Sequence, residues 1–246
     1  MPKIALSIVT TQEVSSCQPF RGVGNESTYL YGTGTDLDAG TITLNGPNIT
    51  NQQLTETANS YSLSIDTVLS GISVPGYPST PAITAGTYTL TGGGGAGVGK
   101  FTVGVKVGSP LTITSNGGSL PATVSRASNL TVSFTGGNTT DLVYLLGFSG
   151  TVLNAGSSAL NSTYDSAGFI CGTTAGAGSI TVPASILAQL PATPTGATGA
   201  GALLLVSSTA PSSSSGTFTA PLTAGGNTTF ALFLGTFGAL ALSMYQ

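Results

Sequence analysis

Charge is what this chain has least of. Five Lys and Arg and eight Asp and Glu are spread over 246 residues, and there is no His and no Trp. An ordinary soluble domain is about a quarter charged. Each absence excludes something. Without His, a serine hydroxyl lacks its usual base, and no Lys stands in a Ser-x-x-Lys context. Nucleic-acid binding needs clustered cations to displace counterions, and Lys3, Arg21, Lys100, Lys106 and Arg126 are scattered. A glycosidase needs two carboxylates about 5–10 Å apart. Eight acids could supply such a pair, but no Trp is present to stack a sugar ring. The composition argues against an enzyme and implies no cofactor and no metal.

Hydroxyls and backbone amides take the place of charge. Ser and Thr number 69 and Gly 36, together 105 of the 246 residues. Apolar residues make up 40% and the net charge is only −3, whereas disordered chains combine low hydrophobicity with high net charge. A packed core is expected. Near-neutral surfaces repel one another weakly and tend to associate. The composition suits an exposed setting outside the cell. The start, MPKIALSIVTTQ, is not a signal peptide, because Ser7 and Thr10 break its apolar run and no small-residue cleavage site follows. The expectation is a chain numbered from after a removed leader.

Alternation with period two dominates, as in half-buried strands. Tyr61, Leu63 and Ile65 alternate with Ser and Asp. Phe101, Val103, Val105 and Val107 alternate with Thr102, Gly104 and Lys106, and Leu130, Val132 and Phe134 with Thr131, Ser133 and Thr135. Thr is β-branched, so it favours strands and still meets water. Gly, Pro and Asn clusters divide these runs as in sandwiches and barrels. One segment reads as helix, Pro183 to Leu190, opening on Pro and stopping before Pro191. It is at most two turns long and is expected to bridge two sheets. The prediction is an all-β chain of two immunoglobulin-like β-sandwiches, residues 1–107 and 108–246, divided near Gly108-Ser109-Pro110, with the short helix in the second.

A short repeat is visible. Ala39 to Gly46 matches Ala85 to Gly92 at six of eight positions, one local solution used twice rather than a solenoid. Tyr88 lies near the start of the strand that precedes the closing strand 101–107, much like a tyrosine corner. The uncharged tail from Thr228 to Met244 is interrupted by Thr229, Gly235, Thr236 and Gly238 and has no flanking Lys or Arg. It reads as two core strands joined at Gly235–Gly238 rather than a membrane span.

The glycine run Gly92 to Gly99 ends in Lys100. From Gly94 it reads G-x-x-x-x-G-K, but Phe101 stands where a phosphate-binding loop has Ser or Thr, and a strand follows in place of a helix. A flexible hairpin loop is expected. Asp36 and Asp38 have a spacing used in calcium loops, which bring more oxygens and a late Glu; a turn in which Asp accepts backbone hydrogen bonds is favoured. Six Asn-x-Ser/Thr sequons, at Asn25, Asn48, Asn129, Asn138, Asn161 and Asn227, exceed the roughly three expected by chance. Asn closing turns before Thr-rich strands accounts for the excess. Cys17 and Cys171 are the only cysteines, spaced for neither zinc nor redox chemistry. Cys171 shares a strand face with Phe169, so it is either a buried thiol or bridged to Cys17, the bridge being favoured in an exported chain.

Several segments taken in order resemble uncharacterised exported proteins of soil bacteria with tandem immunoglobulin-like domains. These are Leu37 to Leu44 with Gly46-Pro47, Thr84 to Thr89 with Gly92-Gly93-Gly94, Val124 to Ala127 leading to Val132–Gly137, and Phe169-Ile170-Cys171 with Gly178–Pro183. The resemblance spans most of the chain and implies export and paired β-sandwiches. It brings no catalytic residues.

The function expected from these observations is that of a non-enzymatic extracellular or cell-surface protein, structural or adhesive, whose partner is itself as oligomer or filament. Edge strands without Lys gatekeepers can template another chain. The candidate contacts are Ile4, Leu6 and Ile8 near the start and Phe230, Leu232 and Leu234 in the tail. The alternative is a glycan-binding module, with Tyr29 and Tyr31 on one strand face as stacking platforms. Neither nucleic acid nor a membrane span is expected. With so few groups titrating between neutrality and pH 3, stability should stay nearly flat from pH 7 to about 3. Thermal unfolding across that range checks this, and an acid midpoint above about pH 4 would contradict it.

Overall fold

Wherever a sheet keeps one face in water, Thr or Ser alternates with an apolar residue, and most of the computed structural model follows that rule. It describes residues 16–23, 37–63, 84–154, 163–194, 199–210, 215–231 and 235–246. The first strand is β1 (Cys17–Val23). Next come β2 (Ile42–Gly46), β3 (Ile49–Gln53), β4 (Thr55–Thr57), β5 (Ser60–Ser62), β6 (Gly86–Gly92) and β7 (Phe101–Val107). They are followed by β8 (Thr112–Ile113), β9 (Thr123–Val124), β10 (Leu130–Thr135), β11 (Leu142–Asn154), β12 (Thr163–Thr174) and β13 (Ser179–Val182). After α1 (Ala184–Leu187) come β14 (Gly199–Ser208), β15 (Thr217–Pro221), β16 (Asn227–Ala231), β17 (Gly235–Leu242) and β18 (Met244–Tyr245). The protein is all-β, with one short α-helix among the described residues.

In the N-terminal half an antiparallel sheet runs in the order β3-β2-β6-β7. Its inner face carries Ile42, Leu44, Tyr88, Val103, Val105 and Val107, all buried. Its outer face carries Thr87, Thr89, Thr91, Thr102 and Lys106. The sequence repeat has a spatial meaning here. Leu44 and Leu90, equivalent positions of the two copies, face each other across β2 and β6, so the repeat is centred on the local two-fold of that strand pair. Tyr88 forms the expected corner: its hydroxyl donates to Thr84 O at 3.0 Å and accepts from Thr84 N–H at 2.9 Å.

In the C-terminal half a five-stranded sheet, β1-β12-β11-β14-β17, packs on a three-stranded one, β13-β10-β8. Leu145, Phe169, Leu203 and Leu205 of the first meet Val132, Phe134, Ile180 and Val182 of the second in one core. The three-stranded sheet turns Thr and Ser outward, with Thr131 and Thr181 hydroxyls 2.9 Å apart. The helix α1 links the two sheets as expected. Leu187 and Leu190 are buried in the same core, and the first helical N–H, of Ala184, donates to Asn129 Oδ1 at 2.8 Å.

The expected division at 107/108 is crossed twice. β1 does not join the N-terminal sheet. It pairs with β12, from Cys17 opposite Cys171 to Val23 opposite Asp165. Conversely, the β15–β16 hairpin leaves the C-terminal half and caps one end of the N-terminal sheet's apolar face. There Ala220 is buried with Ala39, Ile42 and Val98, and Phe218 stacks on Phe101 with ring centroids 4.7 Å apart. The tail is also corrected in one respect. It does form two strands, but they belong to different sheets, and Gly235 and Gly238 lie within β17 rather than between the strands. No helix among the described residues is long and apolar enough to cross a membrane.

Cys17 and Cys171 are joined by a disulfide across β1 and β12, closing a sequence separation of 154. Chain-entropy reasoning assigns a loop of that length up to about 5 kcal/mol. The double variant Cys17→Ser/Cys171→Ser should lose a few kcal/mol, read as a lower denaturant midpoint. Equal midpoints would show that β1 is held by its hydrogen bonds alone.

Candidate functional site: the outer face of the five-stranded sheet

One sheet face breaks the Thr rule. Over Leu142–Phe148 of β11 and Ala202–Val206 of β14 both sets of alternate residues lack Ser and Thr. Val143, Leu145, Leu203 and Leu205 point into the core, so Tyr144, Leu146, Phe148, Leu204 and Val206 point away from it; Tyr144 and Val206, at one end of this face, are nonetheless buried. The pairing register lines up these outer residues across all five strands. One row reads Gln18, Ile170, Leu146, Leu204 and Leu240, and the next Phe20, Gly168, Phe148, Ala202 and Leu242. The four aliphatic residues of the first row are half-buried. In the second, Phe20 is 47% exposed, Phe148 44% and Leu242 82%. Phe20 lies over Gly168, where a Cβ would come within 2.4 Å of its Cζ. This fills what would otherwise be a gap in the row. Neither row carries a charged side chain. Strands that read as continuous apolar runs are normally covered on both faces.

The edges of this sheet are blunted. Gly172 N–H donates to Ser16 O, so alternate residues of β1, Cys17 and Pro19, turn their backbone groups away from β12. Pro19 therefore removes one donor from the outer edge. At the other end Leu205 pairs with Ala239 and Val206 with Phe237, leaving Gly238 as a bulge in β17. Bulges and edge prolines interrupt strand addition. The free edge of β7 is in part taken up within the chain, because Gly216 N–H donates to Gly104 O and Lys106 N–H to Ser215 Oγ.

No protein-family model matches the chain, and neither a curated protein nor a solved structure matches it.

The residues singled out from sequence fall unevenly. Ile4, Leu6, Ile8, Tyr29, Tyr31, Leu232 and Leu234 lie outside the described residues. Phe230 is in β16, opposite Phe218 in the hairpin that caps the N-terminal sheet. Phe20, Leu146, Phe148, Ile170, Leu204 and Leu242 were not expected to form a surface. The runs Leu142–Leu146, Ala202–Val206 and Phe237–Leu242 were the available signal, since they lack the Ser and Thr that alternate elsewhere.

The glycine-rich loop is not the free hairpin that its sequence suggests. It is organised around Asp38. Ala96 N–H donates to Asp38 Oδ2 and Gly40 N–H to Oδ1, both at 2.7 Å. The Tyr61 hydroxyl lies 3.3 Å from Oδ1 and accepts Ala39 N–H. Gly95 has no room for a side chain, because a Cβ would lie 2.3 Å from Oδ1. Thr223 donates its hydroxyl to Ala96 O, and Gly99 N–H donates to Pro221 O, so the loop also grips the β15–β16 hairpin. Amides that a phosphate would need are thus spent within the chain, that of Ala96 on the Asp38 carboxylate and those of Gly94, Gly95, Gly97, Val98 and Gly99 on backbone carbonyls. The calcium reading also involved Asp36, which lies outside the described residues; no group of three ligating side chains occurs among the described residues.

The Ala96 and Gly40 amides hold the Asp38 carboxyl below its ordinary value of 3.8. A depressed carboxylate stabilises the fold above the unfolded value and loses that contribution as pH falls through the lower folded one. Asp38 therefore contributes fully at pH 5 and fades only below about 4. Asp38→Ala should speed hydrogen exchange at Gly40 and Ala96 and at the loop amides between them and Pro221. Unchanged protection would show that the loop holds its shape without the carboxylate.

Proposed function

We propose that this is a non-enzymatic structural or adhesive protein of the cell surface or extracellular space that assembles with copies of itself. The observation that carries this reading is the charge-free apolar outer face of the five-stranded sheet. Monomeric soluble proteins rarely leave large contiguous apolar patches in water, and such patches mark interaction sites. The outer faces of the four-stranded and three-stranded sheets are clothed mainly in hydroxyls, which neither repel a second copy nor form a catalytic constellation. The cross-strand disulfide fits an oxidising compartment outside the cytosol. The immunoglobulin-like classification and the kinship with exported soil-bacterial proteins agree with this reading and remain part of the proposal. A glycan-binding role would rest on Tyr29 and Tyr31, outside the described residues, and nothing described favours it.

The test is light scattering over a wide concentration range, with electron microscopy of the same sample. A defined oligomer or ordered assembly is expected. A monomer at every concentration would overturn the reading.

A further inference from the structure

Resting on that reading, we infer that the first unit of assembly is a two-fold pair joined face to face through the outer side of the five-stranded sheet, not a filament built by edge-strand addition. Two contact modes compete. Edge addition needs an uninterrupted row of free N–H and C=O groups. Pro19 removes a donor from the β1 edge, and the Gly238 bulge disrupts the β17 edge. Face contact needs a smooth apolar surface, and the two outer rows supply it.

The occupant is a second copy on grounds of charge and area. A surface with no charged group in either row is best met by one that also brings none, since an unpaired charge is costly to bury. This chain carries such a surface. Five strands about 4.8 Å apart, and about six residues of strand length, span on the order of 500 Å² per copy. Two copies would bury about 1,000 Å² in total, the lower bound for a specific interface. Pairing should therefore depend on concentration rather than be permanent. With a two-fold axis lying along the strands, the Ile170–Leu146–Leu204–Leu240 row of each copy faces the same row of the other. Aligned sheets pack in this way about 10 Å apart. Because the same patch is used on both sides, the contact closes at two.

The experiment is sedimentation velocity on the full chain across a concentration series, with Phe148→Lys, Leu242→Lys and the control Thr131→Lys. Leu242 is 82% exposed, so its replacement leaves the fold intact even if Phe148→Lys does not. A monomer–dimer equilibrium is expected, weakened at least about tenfold by Leu242→Lys and unchanged by Thr131→Lys. Self-association that neither face variant weakens would overturn this inference while leaving self-assembly standing. So would open-ended polymers in place of a dimer. A wild-type chain that stays monomeric yet binds phosphatidylcholine vesicles through the same two residues would overturn both, and assign the face to lipid. A wild-type monomer that binds nothing, with Leu242→Lys lowering its melting midpoint as a core lesion does, would overturn both and show the face covered by the chain itself.

Discussion

The scarcity of charge is the constraint on which the rest of this structure depends. A chain with thirteen charged side chains must meet water with hydroxyls and backbone, and the backbone of a strand is satisfied only by a neighbouring strand. Sheet is therefore the economical solution, and Thr is the residue that favours a strand while keeping its outer side wet. The same constraint makes the apolar rows on the outer face of the five-stranded sheet conspicuous among the described residues. In a chain of ordinary charge an apolar stripe would be hemmed by Lys and Glu. Here the neighbouring rows hold Gly172, Tyr144 and Val206 on one side and Ser166 and Gly150 on the other, none of them charged.

Scarce charge also changes how single polar groups are used. Asp38 is one of eight acids, and it orders a whole loop by accepting two amides. Asn129 supplies the acceptor that α1 lacks in its own sequence. Asn138 bonds both Asp141 and Lys106 O, tying down the connection between the two halves. Each is a short side chain answering a backbone group. This explains why Asn and Asp gather at turns here without glycan or metal having to be invoked.

Local alternation was legible; long-range pairing was not. Strands 101–107 and 130–135 could be placed because each has one dry and one wet side, which writes a period of two into the residues. Tyr88 could be recognised as a corner because its partner lies only four residues upstream. The β1–β12 pairing spans about 150 residues, and no spacing rule connects Cys17 to Cys171. The hairpin 217–231 was equally hidden, since nothing in its own sequence says which half it caps. The candidate surface fell between these cases. Its runs were visible, but a run of Leu reads the same whether its second face meets core, a partner or water.

The disulfide has a mechanical consequence. Tension applied between β1 and the C-terminal strands would pass from Cys17 directly into Cys171 and on through the C-terminal half, because the covalent bridge short-circuits the chain between them. The N-terminal sheet, the Asp38 loop and β11 all lie inside that bypassed segment and would carry no covalent load. For a protein anchored at one end and pulled from the other, the bridge separates the part that bears force from the part that is only displayed.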